Sequence, residues 1–330
     1  MNNIFLTEMG FNGQIAPTHP NMRTEFAWMY ALQSDHMNIF DYNKVKDYDN
    51  VFIIFPKGKV FLCADGSRII KGANPFSELL QRNIVDVLKN NNKRIHYVQE
   101  GPVWWFNDYE INDQFNFIEL LAKVDIIFTH NTIDTQFYKG WFPNKQVEVI
   151  PTLMFEHNIQ DIEIKTENKT IIGGNFSRWY GGLQSYKVAR EFENNIWTMS
   201  SHSQRDLEDK IGGLNHFPRL DWNTWMRELS KFKYAVHLMP TVAAGTFSLN
   251  CAYFGIPCIG NEKVDTQTIC HPILSVDVDD VEKAIILAEK LYTDKEFYND
   301  CSKSSKSFYN KYFSVNVWKE KMNKILSEEA

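Results

Sequence analysis

The sequence predicts an α/β protein of two Rossmann-like domains facing a central cleft, and three observations predict it. Its 330 residues are too many for one hydrophobic core and too few for three, which favours two domains sharing a cleft. Short β-branched or aromatic runs alternate with amphipathic stretches along the whole length, as layers around a mostly parallel sheet require. Hydrophobic residues at 44% and charged residues at 23% lie near the globular average, which excludes a largely disordered or collagen-like chain.

In the first half, strands are expected at residues 3–7, 50–55, 94–99, 124–129 and 146–150, each a short run rich in β-branched or aromatic side chains. Helices are expected at 24–33, 77–90 and 111–122, which leaves Trp104 and Trp105 in the loop after the third strand. Segment 156–169 is rich in Asn, Lys and Glu and has no hydrophobic period, so it reads as a linker that closes a first domain at residue 155. A second alternation follows, with strands at 170–173, 195–199, 234–239, 257–260 and 273–276 and helices at 186–192, 222–230, 248–254 and 281–291. Residues 170–313 therefore form the second domain, and the amphipathic tail 314–330 is expected as a helix packing back across the junction. No internal repeat and no low-complexity tract interrupts this plan.

No apolar run approaches the ~20 residues that span a bilayer. Glu8 also breaks the N-terminal stretch before a signal-peptide core forms, so the expected place is the cytoplasm, without membrane insertion. Five scattered cysteines without a CxxC pair indicate neither a disulfide framework nor a zinc site, and the nine histidines show no ligand spacing such as HExxH. A formal charge of −6 argues against coating nucleic acid by bulk electrostatics but leaves room for a local patch. Residues 57–94 hold eight basic side chains against three acidic ones, Asp65, Glu78 and Asp86. A solvated helix face with loop lysines explains that stretch as readily as a docking face does. The aromatic share of 14%, with nine tryptophans, supplies rings on which sugars stack.

Three glycine-bearing segments carry the chemical signals. Met9-Gly10-Phe11-Asn12-Gly13 directly follows the first strand, where glycines permit positive φ and a close approach of backbone N–H groups to a ligand. Gly10, Asn12 and Gly13 are donor-side candidates, and a plain turn is the alternative. No GxGxxG or GxxxxGK[ST] is present, which argues against NAD-type oxidoreductases and P-loop phosphotransferases. Ile171-Ile172-Gly173-Gly174-Asn175-Phe176-Ser177-Arg178 reads as strand, glycine turn and a basic residue ahead of a helix. Gly173 and Gly174 expose donors and Arg178 can fork onto a phosphate, a diphosphate cradle unless the arginine only caps a tight turn. Between His237 and Gly260 a strand ends in a small-residue loop from which a helix starts near Gly245 and Thr246, offering N–H groups to a second phosphate. His237 and Asn250 are either ligand contacts or packed polar residues. This is the shape of a nucleotide-sugar site.

These segments resemble the glycosyltransferases of the GT-B fold over most of the chain, and within that fold the DNA β-glucosyltransferases of T-even phages. The residues that carry the resemblance are Met9-Gly10-Phe11-Asn12, Gly173-Gly174-Asn175-Phe176-Ser177-Arg178 and Val264-Asp265-Thr266. It implies a second domain that binds a nucleotide sugar, with a UDP-sugar as donor, and a first domain that binds hydroxymethylated double-stranded phage DNA. Departures are visible: Asn250 stands where that family has its ribose-binding glutamate, Phe247 replaces an arginine, and Val242 and Asn250 replace the Glu-x7-Glu of the family-4 retaining enzymes.

In Gln99-Glu100-Gly101-Pro102-Val103-Trp104-Trp105, Glu100 falls one position out of step with the base of the phage enzymes. A carboxylate there can accept a proton from an acceptor hydroxyl, unless it caps a neighbouring helix or pairs with a local Arg. His130 belongs to the same strand-end edge, Trp104 and Trp105 are sugar platforms or core, and Lys57, Lys59 and Lys71 are the candidates for a DNA backbone. The expected function is nucleotide-sugar glycosyl transfer to a hydroxyl by a monomer or small homo-oligomer, in a design that requires no metal. A glycan, lipid-linked or protein acceptor is the alternative within the class. A catalytically silent sugar-nucleotide or carbohydrate-binding protein, which needs no base, is the alternative outside it.

Overall fold

The computed structural model describes residues 2–57, 60–62, 68–70, 75–177, 179–199 and 208–327. The chain divides into two compact units, one of Met1–His19 and Thr24–Ile150, the other of Pro20–Arg23 and Pro151–Ala330.

The first unit runs β1 (Asn3–Thr7), β2 (Gly13–Gln14), α1 (Thr24–Ala31), β3 (Asp35–Asn38), β4 (Asn50–Ile53), β5 (Val60–Leu62), β6 (Arg68–Ile70), α2 (Pro75–Gln81) and α3 (Ile84–Asn90). It continues through β7 (Arg94–Val98), α4 (Ile111–Lys123), β8 (Ile126–Thr129), α5 (Thr132–Trp141) and β9 (Gln146–Val149). The main sheet has the order β2-β3-β1-β4-β7-β8-β9, with every neighbour parallel except the short β2 on β3. Strands covered on both faces read as continuous apolar runs, and Ile4-Phe5-Leu6 and Ile126-Ile127-Phe128 are fully buried. β5 and β6 pair with each other only.

The second unit runs β10 (Glu167–Ile172), α6 (Gly182–Ala189), β11 (Asn195–Thr198), β12 (Leu214–His216), α7 (Trp222–Leu229), β13 (Phe232–His237) and α8 (Thr246–Phe254). It ends with β14 (Cys258–Asn261), α9 (Asp265–Cys270), β15 (Ser275–Val276), α10 (Val281–Thr293), α11 (Lys295–Tyr312) and α12 (Val315–Ser327). Its sheet, β12-β11-β10-β13-β14-β15, is wholly parallel.

Each sheet reverses its strand order once. In the first unit the chain passes from β1 to β3 on one side and then to β4 on the other; in the second it passes from β10 to β11 and β12 and then to β13. Such switch points open crevices at the carboxyl ends of the strands, where α/β folds bind ligands.

Two expected bounds need correction. The helix expected over 77–90 is two helices, because Asn83 sits at φ 51, a left-handed conformation that asparagine tolerates. Segment 156–169 is built into the second unit: the Glu156 carboxylate accepts from Tyr309 Oη at 2.7 Å and from the Val315 N–H, and β10 begins at Glu167. Residues 20–23 also leave the first unit, with Asn21 Oδ1 accepting from the Trp222 N–H at 2.9 Å. The last helix lies in the second unit, where Trp318 Nε1 donates to Pro151 O at 3.2 Å. Among the described residues no helix is long and apolar enough to cross a membrane, and Cys251, Cys258, Cys270 and Cys301 are buried and free.

Candidate functional site

In the second unit the chain leaves β10 through Gly173 and Gly174. A Cβ on Gly173 would lie 2.5 Å from the His237 ring and 2.7 Å from Phe247, so only glycine lets the turn close on the end of β13. Gly181, at φ 61, is held as tightly: its Cβ would meet Leu238 O at 1.9 Å. The Asn175 carboxamide accepts from the Ser177 N–H at 2.9 Å, and Ser185 Oγ accepts from the Leu238 N–H at 2.9 Å, fixing α6 against β13. The N-cap of α6 is Gly181 and that of α8 is Gly245, and neither has a side-chain cap, so two helix N-termini present N–H groups beside one switch point. Gly245, at φ 67, is locked by Thr266, whose hydroxyl donates to Gly245 O at 2.8 Å and bonds Ser248 Oγ at 2.8 Å.

His237 and Asn250 give this edge its polar interior. Burial holds the His237 imidazole down to about 4, so it is neutral at physiological pH. Its Nε2 is buried without a hydrogen-bond partner among the described residues, as is the Oδ1 of Asn250, a residue only 2% exposed. Leaving such groups unpaired costs about 1–3 kcal/mol each, which a ligand hydroxyl or an ordered water offsets. Thr246 opens the first turn of α8 beside them. Arg178 lies outside the described residues.

In the first unit the switch point gathers a different chemistry. Glu8 follows β1, Lys57 follows β4, Glu100 follows β7 and His130 follows β8, four consecutive strands at their carboxyl ends. Lys57 Nζ lies 3.1 Å from Glu100 Oε2, with the two side chains 30% and 42% exposed. Glu100 is thus paired with a lysine, where an arginine was the expected alternative, and Lys57 lies at the strand ends beside it. Glu8 Oε2 is buried with no hydrogen-bond partner among the described residues. Burial first, then the charge of Glu100, pushes the Glu8 carboxyl up to about 7 against the pull of Lys57. His130 is held down to about 4 by burial; its Nδ1 donates to Ile150 O at 3.1 Å, which leaves Nε2 as the acceptor nitrogen.

The glycine loop after β1 folds back on β3. His36 Nδ1 donates to Phe11 O at 2.7 Å, Asn38 Nδ2 donates to Met9 O at 3.0 Å, and Asn12 Oδ1 accepts from the Asn38 N–H at 3.3 Å. Asn12, expected on the donor, therefore braces its own loop. Gly10 is exposed, and Gly13 takes φ 100 with open space around its Cβ position. Trp105 is no platform: it is 8% exposed and packs edge-on against Phe76, Phe106, Tyr109 and Phe117. Trp104, at 37%, stays at the surface. Within the basic stretch, Arg82 pairs with Glu78, Lys89 with Asp125, and Lys93 donates to Tyr48 O at 2.7 Å. Lys59 and Lys71 lie outside the described residues.

Glu8 is the residue that sequence reading missed. Its sequence signal is an acid on the residue after the first strand, beside a glycine loop. Gly181 and Gly182 likewise have no role in the sequence reading; a Cβ on Gly182 would meet Asn175 O at 2.5 Å.

No protein-family model matches the sequence, and no curated protein matches it. Solved structures match it over nearly its full length. Sucrose-phosphate synthase from Thermosynechococcus elongatus aligns with a TM-score of 0.62 at 11% identity, covering 99% of each chain. HepE from Anabaena in complex with UDP aligns at 0.66 and 8%, covering 99% of this chain and 100% of that one. An α-glucosyltransferase in complex with UDP and a 13-mer DNA containing a HMU base aligns at 0.62 and 12%, covering 99% of this chain and 100% of that one. At such identities the likeness is one of fold, and the chain carries the GT-B fold of these glycosyltransferases.

Proposed function

We propose that the protein is a glycosyltransferase that moves a sugar from a UDP-sugar to an acceptor hydroxyl. The observation that carries this reading is the second unit's switch point, where two helix N-termini without side-chain caps meet a glycine turn too tight for any other residue. Backbone donors fixed in this way stabilise the charge that develops on a departing diphosphate. Arg178, from its place in the motif, adds a charge-assisted contact. Two of the fold neighbours are held with UDP, which supports a uridine donor. His237 and Asn250 supply the polar atoms that a sugar or ribose hydroxyl would satisfy. The first unit supplies the carboxylate that receives the proton, for which Glu100 is the candidate from sequence.

Two acceptors stay in view. A hydroxymethyl group on DNA is supported by the fold neighbour that holds a modified 13-mer. A glycan hydroxyl is supported by the pairing of Lys57, Arg82 and Lys89 with carboxylates of the same chain, which removes them as free phosphate contacts. The experiment is a transfer assay with UDP-, GDP- and ADP-glucose offered together with hydroxymethylated duplex DNA or an oligosaccharide mixture. Release of the nucleoside diphosphate that rises on adding one acceptor class supports the reading and chooses between acceptors. Binding of a donor without release under any condition favours the silent binding protein.

A further inference from the structure

Resting on the glycosyltransferase reading, we propose that Glu8 is the carboxylate that takes the proton from the acceptor hydroxyl, while Glu100, paired with Lys57, is a second carboxylate that orients that hydroxyl. The placement comes first. Glu8 is the residue immediately after β1, the strand flanked by β3 and β4 at the sheet's reversal, and Lys57 follows β4 across that crevice. Glu100 Oε2 already faces an ammonium 3.1 Å away, and a proton on Glu100 would neutralise the charge that holds that ion pair. Glu8 holds no such partner: its Oε2 is buried and receives no hydrogen bond among the described residues. An unsatisfied buried carboxylate oxygen is costly unless a proton or a donor reaches it, and an acceptor hydroxyl brings both.

The loop around Glu8 is held still by its backbone, since Asn38 Nδ2 donates to Glu8 O at 3.2 Å and to Met9 O at 3.0 Å. Among the described residues, the charged and titratable groups that face Glu8 are Glu100 after β7, Lys57 after β4 and Tyr109 beyond the turn that follows Trp105. Tyr109 is pushed up to about 12, by burial first and then by Glu8, and stays neutral. His130, next along the edge, senses Glu100 and Lys57 and is neutral as well. With burial and Glu100 lifting its carboxyl to about 7, Glu8 is matched to proton transfer near neutral pH, the condition for an efficient general base. In the step, the acceptor oxygen bonds to the anomeric carbon as the bond from that carbon to the diphosphate breaks. The electron pair leaves with the nucleoside diphosphate, the hydroxyl proton passes to Glu8, and Glu8 later returns it to water.

The test joins a titration with a rate profile on the full chain. With carboxyl-13C glutamate incorporated, one resonance should titrate near pH 7 and disappear in Glu8→Gln. If every glutamate titrates below about pH 5.5, the proposal is overturned. UDP release from UDP-glucose, with water as acceptor, should rise through pH 7 in the wild type. In Glu8→Gln it should fall by roughly two to four decades and lose that rise, with UDP affinity within about twofold of normal. Glu100→Gln should lose rate but keep the rise. The reverse pattern, with the rise lost in Glu100→Gln and kept in Glu8→Gln, assigns the proton to Glu100 and overturns the proposal. Failure of the wild type to bind UDP at all removes the glycosyltransferase reading and this proposal with it.

Discussion

Replacing Gly245 by alanine should destabilise the second unit far more than replacing Gly13, although both glycines have positive φ. At φ 67 an alanine adopts the left-handed conformation at a cost of about 1–2 kcal/mol. Its Cβ would also lie 1.9 Å from Thr266 Oγ1 and 2.7 Å from Val264 Cγ1, so α9 or the first turn of α8 has to move. Overpacking of that kind costs about 1–3 kcal/mol, and the two effects together come to roughly 2–5 kcal/mol. Gly13, at φ 100 with nothing within 4 Å, suffers the backbone cost alone. For a unit of this size the larger loss corresponds to a drop of roughly 5–15 °C in Tm, readable by calorimetry or by near-UV circular dichroism. Gly245→Ala combined with Thr266→Ala should lose less than the sum of the single losses, because the colliding hydroxyl is gone. The displaced helix start should weaken UDP binding in Gly245→Ala and leave it unchanged in Gly13→Ala. Equal melting losses in the two single variants would refute the argument that Thr266 locks the start of α8.

Acid should unfold the protein through its buried histidines. His36, His130, His237 and His271 are held down to about 4 and His96 to about 3, in each case chiefly by burial. The unfolded chain binds these protons near pH 6.5 and the folded chain does not, so stability falls as pH drops through 6.5 toward 4. Each histidine contributes up to about 1.4 kcal/mol per pH unit; Glu8, raised to about 7, opposes them by favouring the fold as pH falls from 7 to 4.5. Tm values that stay flat between pH 6.5 and 4 would contradict this. Trp105→Ala should cost about 3–5 kcal/mol of stability and Trp104→Ala less than about 1, because only Trp105 fills the aromatic core; thermal melts separate the two. Should duplex DNA bind, Lys89→Ala should leave the slope of log affinity against log salt unchanged, since that ammonium is engaged by Asp125. A fall of about 0.9 would restore it as a phosphate contact.

The buried strands were legible because a parallel sheet covered on both faces leaves an apolar signature, and β1 and the starts of β4 and β7 fall where the pattern put them. β3 was not legible: Asp35-His36-Met37-Asn38 carries no apolar alternation, and its place comes from pairing with β1 and from His36 bonding Thr7 Oγ1 at 2.8 Å. α11 was hidden by a mean composition rich in Lys, Ser and Asn that shows its apolar stripe only once Cys301, Ser305 and Tyr309 face inward. At the site, glycines announced themselves, because positive φ and close approach admit no other residue. Glu8 did not, and Lys57 stood out only as a DNA contact, since neither points to the other until a strand order that sequence does not display places them at neighbouring strand ends.

On the proposed function, the glycine-turn edge of the second unit holds a nucleotide sugar. Calorimetric titration of UDP-glucose into the full chain, with Arg178→Ala alongside, is the decisive measurement. Saturable binding at one site per chain is expected, weakened in Arg178→Ala by about one to two decades for a lost charge-assisted phosphate contact. No binding of UDP-glucose, GDP-glucose or ADP-glucose by the wild type, or an affinity unchanged in Arg178→Ala, would contradict it.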